Sequence, residues 1–581
     1  MTNEFQKLLE QAKAHLNEIE GKPRVRIGTD LSGLAAGAID VLNAFKDEAS
    51  LKALDITISE VGGLGLNYAE PVVDIQMPEG PRVFYNNVTP EQVTDLVKEH
   101  LIAGKPVSSW AMAVEEKDPS LDIPTLAELP MMKGQVRIAL RNAGHVDPSD
   151  IFDYIASGGY SGLNKGLFEM EPADVQEEVA KSGLRGRGGA AFPTATKWRF
   201  LMGSPGPIKY ILGNCEEGDP GAFNDKGILE GDPHTLLEGM ILAGYATGAS
   251  NGIVFIRHGH DTPINRTREA IKQAYANNLL GTNILGSDFS FDVEVSLVGE
   301  SYVSGEETAL MESVEGKRAM PRYRPPFPAA YGVWGKPSNI NNIKTLAYVP
   351  EIVSKGGEWF TTIGTEKSKG TAILCLSGTI ERPGMIEVPM GMTIREAVEQ
   401  LGGGVPGGKP VKLLQTGGPL GGVLRGDKMD IPLDFDAMSA AGAILGSGGI
   451  IVGDETVCAV DLARLLVAFC QYESCGKCFP CRLGTTHLLQ ILDRICDFKA
   501  QEGDLDLMRK LGNDMQVGSL CGHGQLGFNP IKSSIEYFPD EFSAIIEKKR
   551  WPTENYFADF FMPDRAKRNQ QTETFASLRR A

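Results

Sequence analysis

The sequence predicts an α/β multidomain protein, and three observations carry that reading. Its 581 residues are too many for one hydrophobic core. Through the middle of the chain helix-periodic segments alternate with strand-like runs, as in Pro233–Thr247, Ile253–Arg257 and Phe291–Leu297, the pattern of a sheet with helices on its faces. Further on, five of the nine cysteines crowd between Cys470 and Cys496 among helical segments. That is too few cysteines for a disulfide scaffold, and their clustering suits a metal site.

Composition narrows the class. With 42% hydrophobic and 23% charged residues the chain reads as globular. A formal charge of −18 speaks against nucleic acid or an anionic membrane surface as a main partner. The longest apolar passages, Leu236–Ala249 and Ala440–Val452, are broken by Gly, Glu or Ser and fall short of the roughly 18 continuous apolar residues that a membrane span needs. The opening MTNEFQKLLEQAK lacks a signal-peptide apolar core, so a cytoplasmic location and no membrane insertion are expected.

In chain order, Glu4–Ile19 reads as an amphipathic helix with Phe5, Leu8, Leu9, Ala12, Leu16 and Ile19 on one stripe. Strand-like Arg24–Ile27, helical Leu34–Phe45 and strand-like Ile56–Val61, Val72–Gln76 and Arg82–Tyr85 follow. Thr89-Pro90-Glu91-Gln92 then opens a helix, with an N-cap Thr, Pro at the first position and Gln three residues on. These elements make a first domain over 1–110, and Lys105–Lys133 a mixed connector. A central domain is expected over 133–353, a domain of short strands (Ala372–Ser377, Met385–Val388, Lys412–Gln415) over 370–440, and a helical one over 455–550.

The chemistry is organised around Gly183–Trp198, GLRGRGGAAFPTATKW. Gly183, Gly186, Gly188 and Gly189 stand beside Arg185, Arg187 and Lys197, so backbone N–H groups can crowd an anion while cations neutralise it. Alone, the same stretch fits a flexible basic loop equally well. Two further stretches decide: YILGNCEEGDPGAF at Tyr210–Phe223, and Gly299–Leu346 with YVSGEETAL, RYRPPFPAAYGVWGKP and NINNIKTL. Together they resemble the flavin- and NADH-binding subunit of respiratory complex I and its relatives in NAD-linked hydrogenases and formate dehydrogenases. No G-x-G-x-x-G with an acidic partner about 20 residues on follows a first strand, so the common dinucleotide motif is not the source of binding. The resemblance implies a Rossmann-like domain that holds FMN by its own loops.

By that resemblance Gly186, Arg187, Gly188 and Lys197 lie against the flavin phosphate and ribose. Asn214, Glu216 and Glu217 follow the isoalloxazine edge, Tyr302, Gly305, Glu306 and Glu307 come from the GEET turn, and Asn341, Asn342 and Thr345 complete the shell. The residue types suit the task, since amides and N–H groups read flavin carbonyls and ring nitrogens. NADH, the substrate, is implied to meet Phe192, Phe200 and Phe327 as an aromatic slot for adenine, with Lys197, Asp219 and Glu307 alongside. Taken singly, each Phe would be ordinary core. Hydride transfer to a flavin needs stacking, orientation and exclusion of water rather than a protein acid or nucleophile. Glu217, Asp219, Glu306 and Glu307 are expected to disfavour the extra phosphate of NADP. Cys215 reads as a small buried hydrophobe.

The helical domain carries the strongest metal signal. Cys475, Cys478 and Cys481 sit at three-residue spacing where a helix begins, and Cys521 follows 40 residues later in SLCGHG. Structural zinc usually shows paired C-x-x-C units; three near thiols and one remote suit a [4Fe–4S] cube, one thiolate per iron. ESCGKCFPCRLGT and SLCGHGQLGFNP resemble the family's cluster motif, in a four-helix bundle. Cys458, Cys470 and Cys496 are expected in packing positions, and His523 either as a donor to a cluster sulfur or as a satisfied surface residue.

GLAAGA (Gly33–Ala38), GLGLNYAEP (Gly63–Pro71) and NNVTPEQV (Asn86–Val93) resemble the family's thioredoxin-like [2Fe–2S] domain. Ser32, Gly63 and Asn67 stand at three of its cysteine positions and no cysteine precedes Cys215, so the expectation is a thioredoxin-like domain without a cluster. The 370–440 region resembles the family's ubiquitin-like β-grasp (SLBB-type) domain. The mixed-charge Glu547–Ala581 adds no cysteine motif. The expected inventory is one FMN and one [4Fe–4S] cluster. The expected role is the NADH-oxidising flavoprotein subunit of a multisubunit electron-transfer complex, beside a thioredoxin-like [2Fe–2S] partner. Alternatives are a non-catalytic scaffold, or the same core reducing NAD in a hydrogenase, formate dehydrogenase or acyl-CoA-linked reductase.

Overall fold

A computed structural model describes residues 3–299 and 301–552; residues 1–2, Glu300 and 553–581 lie outside the described residues. Three sheets organise the chain. The first comprises β1 (Arg24–Gly28), β2 (Thr57–Val61), β3 (Val73–Gln76), β4 (Arg82–Tyr85) and β5 (Ala111–Val114), in the order β2-β1-β3-β4-β5. Only the β1–β2 pair is parallel. β5 falls inside the expected connector; its four residues, two of them only half-buried, give no clear alternation to read. The helix that covers this sheet runs Ala38–Leu51 and buries Val41, Leu42 and Phe45. The Thr89 capping box forms as expected, with the Thr89 N–H donating to Gln92 Oε1 at 2.9 Å.

The first helix, Asn3–Glu20, departs from the expected domain plan. It packs Phe5, Leu8 and Ala12 into the core of the central region, near Tyr154 and Ile155 of the helix Ile151–Ala156. Its apolar stripe was readable, but the stripe alone does not say which core it enters. Arg24 ties the first sheet to the same region through Asp153, at 2.6 Å with both side chains buried.

The central sheet is wholly parallel: β6 (Tyr210–Cys215), β7 (Asn251–Arg257), β8 (Asp292–Val298) and β9 (Ser338–Asn342), ordered β8-β7-β6-β9. The helix Pro233–Thr247 is buried along nearly its whole length, as its mostly apolar surface demands. The third sheet comprises β10 (Thr371–Gly378), β11 (Gly384–Pro389), β12 (Leu413–Thr416), β13 (Val423–Arg425) and β14 (Gly449–Gly453), ordered β11-β10-β14-β12-β13. β14 lies beyond the expected boundary at 440 yet inserts between β10 and β12, so the sheet is incomplete without it. The helices Ala459–Tyr472, Phe479–Cys496, Asp504–Gly518 and Asn529–Tyr537 close round a core that includes Val467, Leu488, Ile491, Met515 and Ile531.

A buried carboxylate joins the central region to the third sheet. Glu387 on β11 accepts the N–H groups of Ile138, Ala139 and Leu140 at 2.9, 3.2 and 2.9 Å, and the Thr371 hydroxyl at 2.5 Å. Replacing it by Ala would leave three buried donors unpaired, each costing about 1–3 kcal/mol. Glu387→Ala is therefore expected to lower the denaturant midpoint by the equivalent of at least about 3 kcal/mol, and Glu387→Gln by less.

Candidate functional site

In an open parallel sheet, a crevice opens at the carboxyl ends of two adjacent strands whose following connections run in opposite directions. Here the chain leaves β6 toward β7 and β8 on one side, while β9 returns on the other. The β6–β9 pairing sets Asn214 directly across from Asn342. The residues that follow, Cys215–Asp219 and Ile343–Thr345, therefore rim that crevice, and three loops expected to share a site converge on it.

The Gly-rich loop approaches from the Asn342 side. Gly186 N–H donates to the Phe192 carbonyl at 2.8 Å and Arg187 N–H to Thr345 Oγ1 at 2.9 Å. A Cβ on Gly188 would come within 2.9 Å of Asn342 Cβ, so bare backbone is what lets loop and strand end meet. The Arg187 guanidinium is buried and donates to the carbonyls of Arg185, Lys369 and Thr371 at 3.0, 2.6 and 3.2 Å. Arg185 lies over the Phe435 ring, 4.7 Å from its centroid. Both guanidinium groups thus brace the loop on neighbouring chain: Arg187 on carbonyls, because a buried cation needs fixed acceptors, and the partly exposed Arg185 on the Ala191 carbonyl and the Asp436 carboxylate at 2.8 and 3.5 Å. Lys197, on the helix Thr194–Met202, pairs with Glu307 and donates to the Ile340 carbonyl at 2.5 Å.

The acidic residues are engaged locally. Asn214 Nδ2 donates to the Gly305 carbonyl at 2.9 Å, which joins β6 to the GEET turn. Glu216 is buried beside Arg257, 3.3 Å away, and accepts the Gly218 N–H at 2.9 Å; burial pushes its carboxyl up to about 8, against the pull of Arg257. Glu217 sits at φ +42°, a left-handed conformation strained for a residue with a side chain. Its carboxylate accepts the N–H groups of Asp225 and Lys226 at 2.6 and 2.7 Å, capping the helix Asn224–Gly231. Glu306 likewise caps the helix Glu307–Val314, through Thr308 and Ala309 N–H at 2.9 and 3.1 Å. Asp219 accepts the Ser447 hydroxyl at 2.5 Å, while its Oδ1 is buried without a partner among the described residues. Asn341 Nδ2 donates to Asn339 Oδ1 at 2.6 Å. Cys215 is fully buried.

Phe192, Phe200 and Phe327 are 48%, 57% and 59% exposed, so none of the three is a core residue. An unburied ring is what a stacking surface requires.

The four motif cysteines come together at the other end of the GEET turn. Cys478 N-caps the helix Phe479–Cys496, Cys481 lies in its first turn and Cys521 N-caps Gly522–Leu526. Cys475, Cys478 and Cys521 are all close enough to Cys481 to influence its thiol, which also contacts the Ser474 hydroxyl at 3.3 Å. Burial pushes the Cys481 thiol up to about 12 and the Cys521 thiol up to about 11, so these positions favour a neutral thiol or an iron-bound thiolate over a free anion. Among the described residues no group of three or more His, Cys, Asp or Glu is arranged to hold a single metal ion. Four thiols of this set fit a cube, which takes one ligand per iron.

His523 is buried, and its Nε2 lies 2.8 Å from the Cys470 carbonyl. That carbonyl can only accept, so the ring proton sits on Nε2 and a neutral Nδ1 has none to donate to a sulfur. The surface alternative is also corrected, since the ring is enclosed. Tyr302 spans the two regions. It sits against Asp219 on one side, and on the other its ring lies 5.6 Å from His523 and 5.3 Å from Phe469.

Sequence reading missed Lys344, Asp225, Asn224 and Ser447, which form a buried network under the strand ends. A lysine in NINNIKTL carries no mark of burial, because its partner lies 119 residues earlier. In the first sheet, a Cβ on Gly63 would meet Asp30 Oδ2 at 2.2 Å, so a carboxylate occupies the space beside one expected cysteine position.

The thiol environments make a direct prediction. In reduced, iron-free chain at pH 8, iodoacetamide should label the half-exposed Cys475 and Cys478 first, and Cys481 and Cys521 at least about tenfold more slowly, as read by mass spectrometry of the labelled peptides.

Comparison with known proteins matches three regions of the chain. Residues 179–351 match the family described as the Nuo51 FMN-binding domain. Residues 461–545 match the NADH-ubiquinone oxidoreductase-F iron-sulfur binding region, and 373–424 the SLBB domain. The NADP-reducing hydrogenase subunit HndC of Solidesulfovibrio fructosivorans is 47% identical over 420 residues, 72% of this chain and 85% of that protein. A subunit of the NADH-quinone oxidoreductase of Rhizobium meliloti is 42% identical over 415 residues, 71% of this chain and 99% of that one. A crystal structure of an NAD+-reducing [NiFe]-hydrogenase in the air-oxidized state superposes with a TM-score of 0.63 at 25% identity, covering 93% of this chain and 91% of that one. The chain belongs to the family of the FMN-binding, iron–sulfur subunits of NADH-quinone oxidoreductases and their hydrogenase relatives.

Proposed function

We propose that this chain is the NADH-oxidising flavoprotein subunit of a multisubunit electron-transfer complex, with FMN in the crevice at the ends of β6 and β9 and a [4Fe–4S] cluster on Cys475, Cys478, Cys481 and Cys521. The observation that carries the reading is the convergence of three loops on that crevice, with Tyr302 reaching from it to the cysteine region. FMN supplies the exchange between a two-electron donor and one-electron acceptors that side chains cannot perform.

The chain's own residues bind and orient. Gly186, Gly188 and the backbone of Arg187 give close approach to the phosphate, while the Arg187 side chain acts by bracing the loop. Asn214, Glu216, Gly305, Asn341, Asn342 and Thr345 line the flavin, and burial, which pushes the Glu216 carboxyl up to about 8, favours its protonated form as a hydrogen-bond donor. Lys197 and Glu307 orient the nicotinamide nucleotide, and the exposed Phe192, Phe200 and Phe327 receive its adenine. Glu217 and Glu306 contribute as helix caps that hold the two acidic turns in shape.

These engagements alter the expected preference against NADP. Two of the four acidic groups cap helices, Asp219 is hydrogen-bonded, and Glu307 faces Lys197 and Arg324. Little free negative charge remains to repel a further phosphate, and the relative named as NADP-reducing accords with a modest discrimination. That relative and the NAD+-reducing hydrogenase also favour the reverse direction, nucleotide reduction, as the second reading.

The first domain, over 1–110 with β5 added, is read as a thioredoxin-like docking module without a cluster. The remaining units are 133–353, 370–440 extended to β14, and 455–550. A separate thioredoxin-like [2Fe–2S] subunit is the partner that would accept or supply electrons, in a cytoplasmic complex; no helix among the described residues is long and apolar enough to cross a membrane.

Anaerobic NADH titration tests this. Bound flavin should bleach and a reduced-cluster electron paramagnetic resonance signal should follow. Bound flavin that stays oxidised under excess NADH would overturn the reading.

A further inference from the structure

We propose that the buried ion pair of Lys344 and Asp225 sets the reduction potential of the flavin, Lys344 favouring the reduced form and Asp225 opposing it. The inference deepens the proposed function and rests on FMN lying at the ends of β6 and β9.

Lys344 is only 2% exposed. It lies in the helix Ile343–Ala347, which begins where β9 ends, between Asn342 and Thr345 of the flavin set. Its Nζ is 2.8 Å from Asp225 Oδ1, donates to Asn224 Oδ1 at 2.7 Å and to the Ser447 carbonyl at 3.2 Å. Asp225 Oδ2 accepts from Asn342 Nδ2 at 2.6 Å, so the pair is one hydrogen bond from a residue facing the crevice. The same Ser447 donates its hydroxyl to Asp219, which connects the ammonium to the other rim.

The charge is firmly held. Burial works against the ammonium, but Asp225 and Glu217 keep the Lys344 pKa above its usual value. Around it Lys344 and Lys226 face Asp225 and Glu217, with Lys226 Nζ 3.6 Å from Glu217 Oε2, and Asp219 lies beyond Ser447. A buried ion pair adds little to stability over an apolar pair of similar volume, so stability alone does not account for one beneath a redox site. Its field does act there, because a dry interior screens charges weakly.

Oxidation of NADH to NAD+ delivers one hydride, two electrons and a proton together, so the flavin site gains one negative charge for each NADH consumed. A nearby ammonium lowers the free energy of that reduced state, and a nearby carboxylate raises it. Removing either partner unbalances the set in opposite directions.

The test is potentiometric titration of bound FMN, followed optically at fixed pH, in the full chain and in Lys344→Met and Asp225→Asn. At a fixed applied potential the ratio of reduced to oxidised flavin should fall at least about tenfold in Lys344→Met and rise at least about tenfold in Asp225→Asn, each a shift of about 30 mV for a two-electron couple. Asp225→Asn keeps the shape and can still accept from Asn342, so it decides alone if Lys344→Met fails to fold. Flavin-loaded variants with unchanged potentials, or shifted in the same direction as a loosened pocket would shift them, overturn this inference alone. A wild-type chain that binds no FMN overturns the flavin reading and this inference with it.

Discussion

The parallel pairing of β6 with β9 is the constraint on which the rest depends. It sets Asn214 beside Asn342 at the one place in the central sheet where successive connections diverge. Everything proposed to touch the flavin is delivered by segments that start at those two strand ends or pack on them. The glycines of the 183–189 stretch matter because Gly188 leaves no side chain between loop and strand. The GEET turn joins through the Asn214 bond to the Gly305 carbonyl, and it carries Tyr302 toward the region of the motif cysteines. Sheet topology, more than any single side chain, creates the proximity that electron transfer needs.

The site neutralises most of its own charge. The acidic residues that crowd the 216–219 and 306–307 turns look like free negative charge in the sequence, yet the fold uses Glu217 and Glu306 to cap helix N-termini and pairs Glu307 with Lys197. The cationic residues behave the same way: Arg187 satisfies three carbonyls and Lys344 meets Asp225. What remains is a polar but nearly neutral cradle, suited to a cofactor whose own charge changes during turnover.

Much of this was legible in advance, and the reasons are local. The capping box at Thr89, the helix Pro233–Thr247 and the cysteine spacing are short-range signals, and each appears where its residues stand. The failures are long-range. β5 and β14 are strands only because a partner strand lies alongside. The docking of Phe5 and Leu8 onto the central core, the enclosure of His523 and the Lys344–Asp225 pair all depend on chain brought from far away. Residue type pointed Arg187 at a phosphate; its burial turned the side chain to the carbonyls of Arg185, Lys369 and Thr371.

The first sheet limits where a cluster can sit. Its topology is complete and it is bound to the central region by the Arg24–Asp153 pair, but Ser32, Gly63 and Asn67 offer no thiolate and Asp30 fills the space beside Gly63. Electrons are proposed to pass through a single cluster, on the helical region. Iron and acid-labile sulfide quantification on anaerobically purified chain tests it most directly. The account predicts about four irons and four sulfides per chain; about six irons would contradict it by placing a second cluster in a domain that has no cysteine to hold one.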